Sequence, residues 1–398
     1  MTWFHPPQLR IGDDFEEQSR RATWLELFFD LVFVVAVSQL AHNLSADVSI
    51  QGFLGFVFLF LPVWWSWIGA TFYANRFDVD DAGHRVLTAV QMLAIASMAV
   101  NIHHGLDKSS VGFALSYVIV RLMLVFQYLR AAIHLPQARG LACRYAIGFA
   151  IAAAFWLVSA FVPMPARFFL WMLGLLVDFA TPLTSVRLQT RLLPNFEHLP
   201  ERFGLFTIIV LGEAIIAVVN GIAEQNWNLP SVIAAALGFS IAFSLWWVYF
   251  ENVGGSALRS APTERRVNTL QVWLYGHLPL VIGLAGTGVG VEHIIKSQQD
   301  IALATSERWL LCGSVALCLA ALAVLHRTGV IFRCKVRYKY RSGASIVLLV
   351  IALAGEMLLP TMVVGLVAII CITQVFQDIY QGHPAAPTLE DFTKEPIQ

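Results

Sequence analysis

A chain of 398 residues that is 58% hydrophobic and 13% charged, with a mean hydropathy of +0.68, lies outside the range of soluble globular proteins. Its formal net charge is zero and it has no long basic tract, so nothing in it points to nucleic acid. The five cysteines (Cys143, Cys312, Cys318, Cys334 and Cys371) are scattered without CxxC spacing, so neither a disulfide framework nor a thiolate metal site is expected.

Residues 1–21 are polar and charged, lack the apolar core of a cleavable signal peptide, and read as a cytoplasmic lead. A membrane-crossing helix needs about 20 apolar residues. Twelve stretches qualify: roughly 24–45, 51–73, 86–105, 111–134, 141–162, 166–190, 202–222, 230–251, 268–290, 307–327, 342–359 and 361–380. The first carries two carboxylates, Glu26 and Asp30, spaced to share one helical face. A charge at membrane depth costs at least about 2.5 kcal/mol on insertion scales, so such residues are functional candidates by default. Arg20 and Arg21 stand at the foot of this span, close enough in sequence to pair with Glu26.

The second span ends in Trp64-Trp65-Ser66-Trp67 and then Tyr73-Ala74-Asn75-Arg76-Phe77-Asp78, the pattern of an interfacial aromatic belt followed by polar loop residues. The third ends in His103-His104. With His42, Glu224 and His293 at the same expected outer level, these residues form an outer-end cluster, either sensing metal or pH or simply solvated. No HxxH or HxxxH pair gives it a ligand face, and no metal site is assigned. The fourth span holds Arg121 and the sixth Asp178, both near mid-span. Mutual pairing is the simplest account, serving either helix packing or permeation.

On the seventh span Arg202, Glu213, Asn220 and Glu224 follow one another at spacings of 11, 7 and 4, a single polar stripe of the kind a water-filled path needs. The eighth ends in Trp246-Trp247. The ninth contains His277 and Pro279, then Gly283, Gly286, Gly288 and Gly290. This pattern marks either a kink beside a cavity or close packing through small residues. His277 is a candidate proton carrier, with a satisfied structural histidine as the alternative. Beyond Glu356 and a basic inner loop, the last three spans offer little. Residues 382–398 read as a disordered cytoplasmic tail.

Shifting the chain on itself by 182–183 residues lays Asp30 over Glu213, Trp64-Trp65 over Trp246-Trp247 and His42 over Glu224. An offset of 197 lays Arg144 to Pro163 over Arg341 to Pro360. The expected architecture is therefore an all-α polytopic membrane protein of about 12 spans, built as two parallel six-helix repeats, 22–191 and 192–381. Most Arg and Lys residues fall in segments on the N-terminal side, whereas the opposite loops hold only Lys108, Arg167, Lys296 and Arg308. That imbalance puts both termini in the cytoplasm and the protein in the plasma (inner) membrane.

Three stretches carry a resemblance to the bacterial low-temperature-requirement A (LtrA) family: Ala22-Thr-Trp-Leu-Glu-Leu-Phe-Phe-Asp-Leu-Val-Phe-Val34, Leu199-Pro-Glu-Arg-Phe-Gly-Leu-Phe-Thr-Ile-Ile-Val-Leu-Gly-Glu213 and Tyr275-Gly-His-Leu-Pro-Leu280. The resemblance spans residues 18–380 and implies a membrane protein whose activity is poorly defined. More distantly, Phe29-Asp30-Leu-Val-Phe-Val-Val-Ala36 is similar to the Phe-Ser-Asp signature of the endosomal-lysosomal potassium channels, whose first helices line the pore. Here Phe29 replaces the serine and the second copy reads Gly212-Glu213.

The expected function is transport of a small cation or proton, or of an unknown small solute, along the first and seventh spans. Glu26, Asp30, Glu213, Asn220 and His277 are the pathway candidates, Arg121 and Asp178 a buried ion pair. The alternatives are a structural or sensory membrane protein and an intramembrane enzyme acting on a lipid. No catalytic residues and no cofactor are assigned. The bilayer is the expected surrounding, and a homodimer is expected by analogy.

Overall fold

The computed structural model describes residues 5–9, 23–79, 81–196, 198–225, 227–251, 266–327 and 332–381. Among them run α1 (Trp24–Ala46), α2 (Ile50–Arg76), α3 (Ala82–Asn101), α4 (Ser110–His134), α5 (Arg139–Ser159), α6 (Ala166–Leu183) and the short α7 (Val186–Gln189). These are followed by α8 (His198–Ala223), α9 (Leu229–Phe250), α10 (Arg266–Lys296), α11 (Thr305–Arg327), α12 (Phe332–Ala354) and α13 (Pro360–Gln381). The pairing of Arg20 and Arg21 with Glu26, the rest of the lead and the 382–398 tail lie outside the described residues.

Eleven of these helices are long and apolar enough to cross a membrane. The twelfth expected span corresponds to α12, which starts ten residues before the predicted 342–359 and opens on the basic run Arg333 to Arg341. Hydropathy underrates it because Arg337 and Arg341 are buried in the bundle, not placed in a loop. Asp378 of α13 binds them at 3.2 and 2.8 Å. The expected sixth span ends early: Thr184 and Ser185 separate α6 from α7, just after Pro182.

Helix starts follow local chemistry. Thr23 and Glu26 form a reciprocal capping box on α1, Ser49 caps α2 and Asn228 caps α9 ahead of Pro230. Asp81 caps α3 through the His84 amide at 2.6 Å and also anchors a strap. In this strap Gln8–Leu9 pairs antiparallel with Phe77–Asp78, the His5 amide donates to Asp81 at 2.8 Å, and Arg130 donates to both Asp81 and the His5 carbonyl. Burial raises the Asp81 carboxyl, but these N–H donors and the Arg130 guanidinium outweigh it and hold the group below its ordinary value.

In the first half α1 packs on α2 and α3, α3 on α4, α4 on α5 and α5 on α6. In the second half α8 packs on α9 and α10, α10 on α11, α11 on α12 and α12 on α13. The halves meet where α1 and α2 contact α8 and α10. The central helix is α10. At Gly283 and Gly290 an added Cβ would lie 2.7 Å from the Ser314 carbonyl oxygen and 2.9 Å from the Leu311 backbone, and at Gly288 2.9 Å from Ala214. The glycines thus bring α10 close to α11 on one side and α8 on the other.

The outside of the bundle is apolar: Leu93 is 71% exposed, Val100 79% and Leu353 69%. Inside lie Asp30, Arg76, Arg121, Asp178, Arg202 and Arg341. A solvent of hydrocarbon accounts for that inversion, whereas water does not.

Candidate functional site between the first and eighth helices

The bundle end at which α1 begins is called proximal below, and the other end distal. Near the proximal end, Arg202 of α8 reaches across to α1, with Nη2 2.6 Å from Asp30 Oδ1 and Nη1 3.4 Å from Glu26 Oε2. Asp30 Oδ1 also accepts the Trp67 indole N–H at 2.8 Å, and His198 Nε2 lies 3.5 Å from Glu26. Asp30 and Arg202 are 2% exposed, so this is a desolvated charge network joining α1, α2 and α8. Glu26 serves first as the capping residue of α1, a role legible in Thr23-Trp-Leu-Glu26 as the motif S/T-x-x-E. Trp64, Trp65 and Trp67 are buried, which corrects the expectation of an interfacial belt.

Beside this network lies a cleft of about 490 Å³, whose walls include Glu26, Arg202, Tyr73, Asp78, Gln91 and Gln127. It touches the surface at Trp24, which is 88% exposed. Gln91 and Gln127 are not evident from sequence, because neutral amides within apolar spans raise no charge signal.

Deeper along the same interface, Phe33 of α1 meets Phe206 of α8 at 6.4 Å between ring centroids, and Glu213 faces the Ser38 hydroxyl. Contacts at Asp30–Arg202, Phe33–Phe206 and Ser38–Glu213 advance together, so α1 and α8 run parallel. Arg202 and Glu213 are separated by about 16 Å of helix. Glu213 is 6% exposed, its Oε1 has no hydrogen-bond partner, and no cation pairs with it among the described residues.

The other sequence candidates separate from this line. Asn220 is exposed, and Glu224 pairs with Lys296 at 2.9 Å, so the buried part of the expected stripe is Arg202 and Glu213. His277 is fully enclosed. Its Nδ1 is 2.6 Å from the Trp273 carbonyl and its Nε2 3.2 Å from the Tyr249 hydroxyl, so both ring nitrogens are occupied within α9 and α10. Arg121 Nε lies 3.2 Å from Asp178 Oδ2, with neither side chain exposed. The Tyr117 hydroxyl donates to Asp178 and accepts from Arg121 at 2.5 Å. This triad links α4 to α6, away from the α1–α8 interface.

The distal candidates form two groups. His42, His103 and His104 lie near one another, with His103 Nδ1 3.1 Å from Asn43. His293 instead bridges the Ser45 carbonyl at 3.0 Å and Glu307 at 3.4 Å. Among the described residues no group of three or more His, Cys, Asp or Glu side chains is arranged to hold a metal ion.

A helical bundle with an apolar exterior, eleven candidate spans and buried charge networks defines a polytopic α-helical membrane protein. The family description "Bacterial low temperature requirement A protein (LtrA)" matches residues 21–376, and the chain belongs to that family. It is similar to an uncharacterized protein of Rhizobium meliloti (strain 1021), 28% identical over 285 residues that cover 68% of this chain and 69% of the relative. No solved structure matches the chain.

Proposed function

We propose that the protein transports protons or small cations across the cytoplasmic membrane along the α1–α8 interface, with Glu213 as the group that exchanges the charge. One observation carries this reading. Asp30 and Glu26 are tied to Arg202 and Asp178 to Arg121, whereas Glu213 has the Ser38 hydroxyl beside it and no paired cation among the described residues. A carboxylate in a low-dielectric interior needs a counter-charge, and with no fixed cation it is suited to one that comes and goes. The proximal cleft is the vestibule of this reading. The like order of helix contacts in the two halves, and the parallel course of α1 and α8, support a duplicated six-helix unit with the path between repeats. The proximal end bears Arg130, Arg144, Arg202, Arg337 and Arg341, which favours a cytoplasmic assignment for it.

The test is flux through purified protein in liposomes, with proton and potassium gradients imposed separately. Wild type is expected to carry flux. Glu213→Gln, with a size-exclusion profile like that of wild type, is expected to carry none. Undiminished flux in the folded variant would remove Glu213 from the path. Closure of the other charge networks favours a second, structural reading for Asp30, Arg121 and Asp178, in which their substitution lowers stability before it touches flux.

A further inference from the structure

Gln91 of α3 and Gln127 of α4 are 2% and 3% exposed, line the proximal cleft of about 490 Å³, and make no side-chain hydrogen bond among the described residues. A primary amide offers two N–H donors and a carbonyl acceptor, and at such burial these groups call for partners. Gln189, equally buried, finds one in the Pro182 carbonyl at 2.6 Å. Two amides from two helices, both facing one cavity, are instead placed to meet an occupant that donates and accepts. Hydroxyl groups do both.

The other walls narrow the class of that occupant. Phe29, Phe77 and Val79 line the same space, so it suits a molecule with an apolar body better than water alone. The lining charges, apart from the His84 imidazole, are Glu26 and Asp78 against Arg85 and Arg202, and Glu26 faces Arg202 at 3.4 Å. Two acids balanced by two bases give no net attraction to a phosphate or an ammonium group. The mouth lies at Trp24, the first residue of α1. From there Trp24, Phe28, Leu31 and Val35 run as one exposed apolar stripe along the outer face of α1. The cleft is therefore open to hydrocarbon at the level of the membrane interface, where lipid heads lie.

We propose that the cleft binds an uncharged lipid with a hydroxyl-bearing head, of the diacylglycerol or glycosyl-diacylglycerol class. Its hydroxyls meet the Gln91 and Gln127 amides, and its chains leave past Trp24 along α1. The site stands without the transport reading, because its test reads binding and not flux.

The test is native mass spectrometry of the purified full chain in detergent, titrated in turn with dioctanoylglycerol, dioctanoyl phosphatidylcholine and dioctanoyl phosphatidic acid. One saturable dioctanoylglycerol adduct per chain is expected, at least tenfold tighter than either phospholipid. Gln91→Leu is expected to weaken it at least fivefold and Gln91→Leu/Gln127→Leu to abolish it. Equal binding of the three lipids marks annular lipid and overturns the proposal, as does wild-type affinity in the folded double variant. Displacement by free glycerol at the concentrations at which dioctanoylglycerol binds marks a soluble polyol site and overturns the lipid assignment. Should the double variant not fold, photo-crosslinking of wild type with a diazirine-bearing diacylglycerol decides. Label on the cleft-lining residues of α1 to α4, displaced by dioctanoylglycerol, supports the site, and label spread over the outer helices overturns it.

Discussion

Arg202 is the residue on which the α1–α8 interface turns, because it pairs with Asp30 and lies against Glu26 at once. Replacing it with Gln strands a buried carboxylate, and the expected loss is about 3–5 kcal/mol. The double variant Arg202→Gln/Asp30→Asn removes both charges and is expected to recover part of that loss. Thermal unfolding of wild type, Arg202→Gln, Asp30→Asn and the double variant in one detergent checks this, and additive losses would show that the pair is not coupled. At His277, both ring nitrogens already have partners, so His277→Asn is expected to leave the pH profile of any flux unchanged while lowering stability. A displaced profile would make His277 a proton carrier.

Residue identities were legible unevenly. The Glu26, Arg121, Asp178 and Glu213 charges stand out from sequence because each interrupts an apolar run, whereas the capping role of Glu26 on α1 is seen in the folded helix, where Thr23-x-x-Glu26 closes its reciprocal bonds. The pairing of Asp30 with Arg202 does not stand out, since it joins residues 172 positions apart and depends on the register of two helices. Arg337 and Arg341 resemble loop residues in sequence because hydropathy counts a charge without seeing its partner. Asp378, the lone acid on the last span, was the signal that could have found them.

At the scale of elements, α10 illustrates how an ambiguous pattern is decided. Its proline and glycines fit a cavity or a tight seam equally well in sequence. The seam is observed, with backbone approaches that leave no room for a side chain. Gly290→Ala is therefore expected to cost about 1–3 kcal/mol, read as a fall in melting temperature. The proximal strap gives a pH prediction. Folding holds the Asp81 carboxyl below its ordinary value of 3.8, so its contribution is complete above that pH and is lost as pH falls through the lower folded value. Amide exchange at Gln8 and Leu9 is expected to be steady from pH 7 to 5, after correction for intrinsic rates, and to quicken only in strong acid. Asp81→Asn is expected to show faster exchange at every pH. Strap protection that fades near pH 6 would point to a histidine instead.

For the whole molecule, the proposed orientation puts Lys108 and Arg167 on the outer side and the exposed Arg187 of α7 inside. Single cysteines at 108 and 167 in a cysteine-free background are expected to react with an impermeant maleimide on intact cells, and one at 187 only after lysis. The reverse labelling would invert the assignment. Sequence by itself determined the class, the approximate helix borders and the family motifs, because burial in hydrocarbon demands long apolar runs whatever the helices later contact. Only the tertiary structure decided which buried charges, among the described residues, are matched by an opposite charge and which, at Glu213 and Arg76, are not. Charge compensation is a property of distances between side chains, and no single helix carries that information.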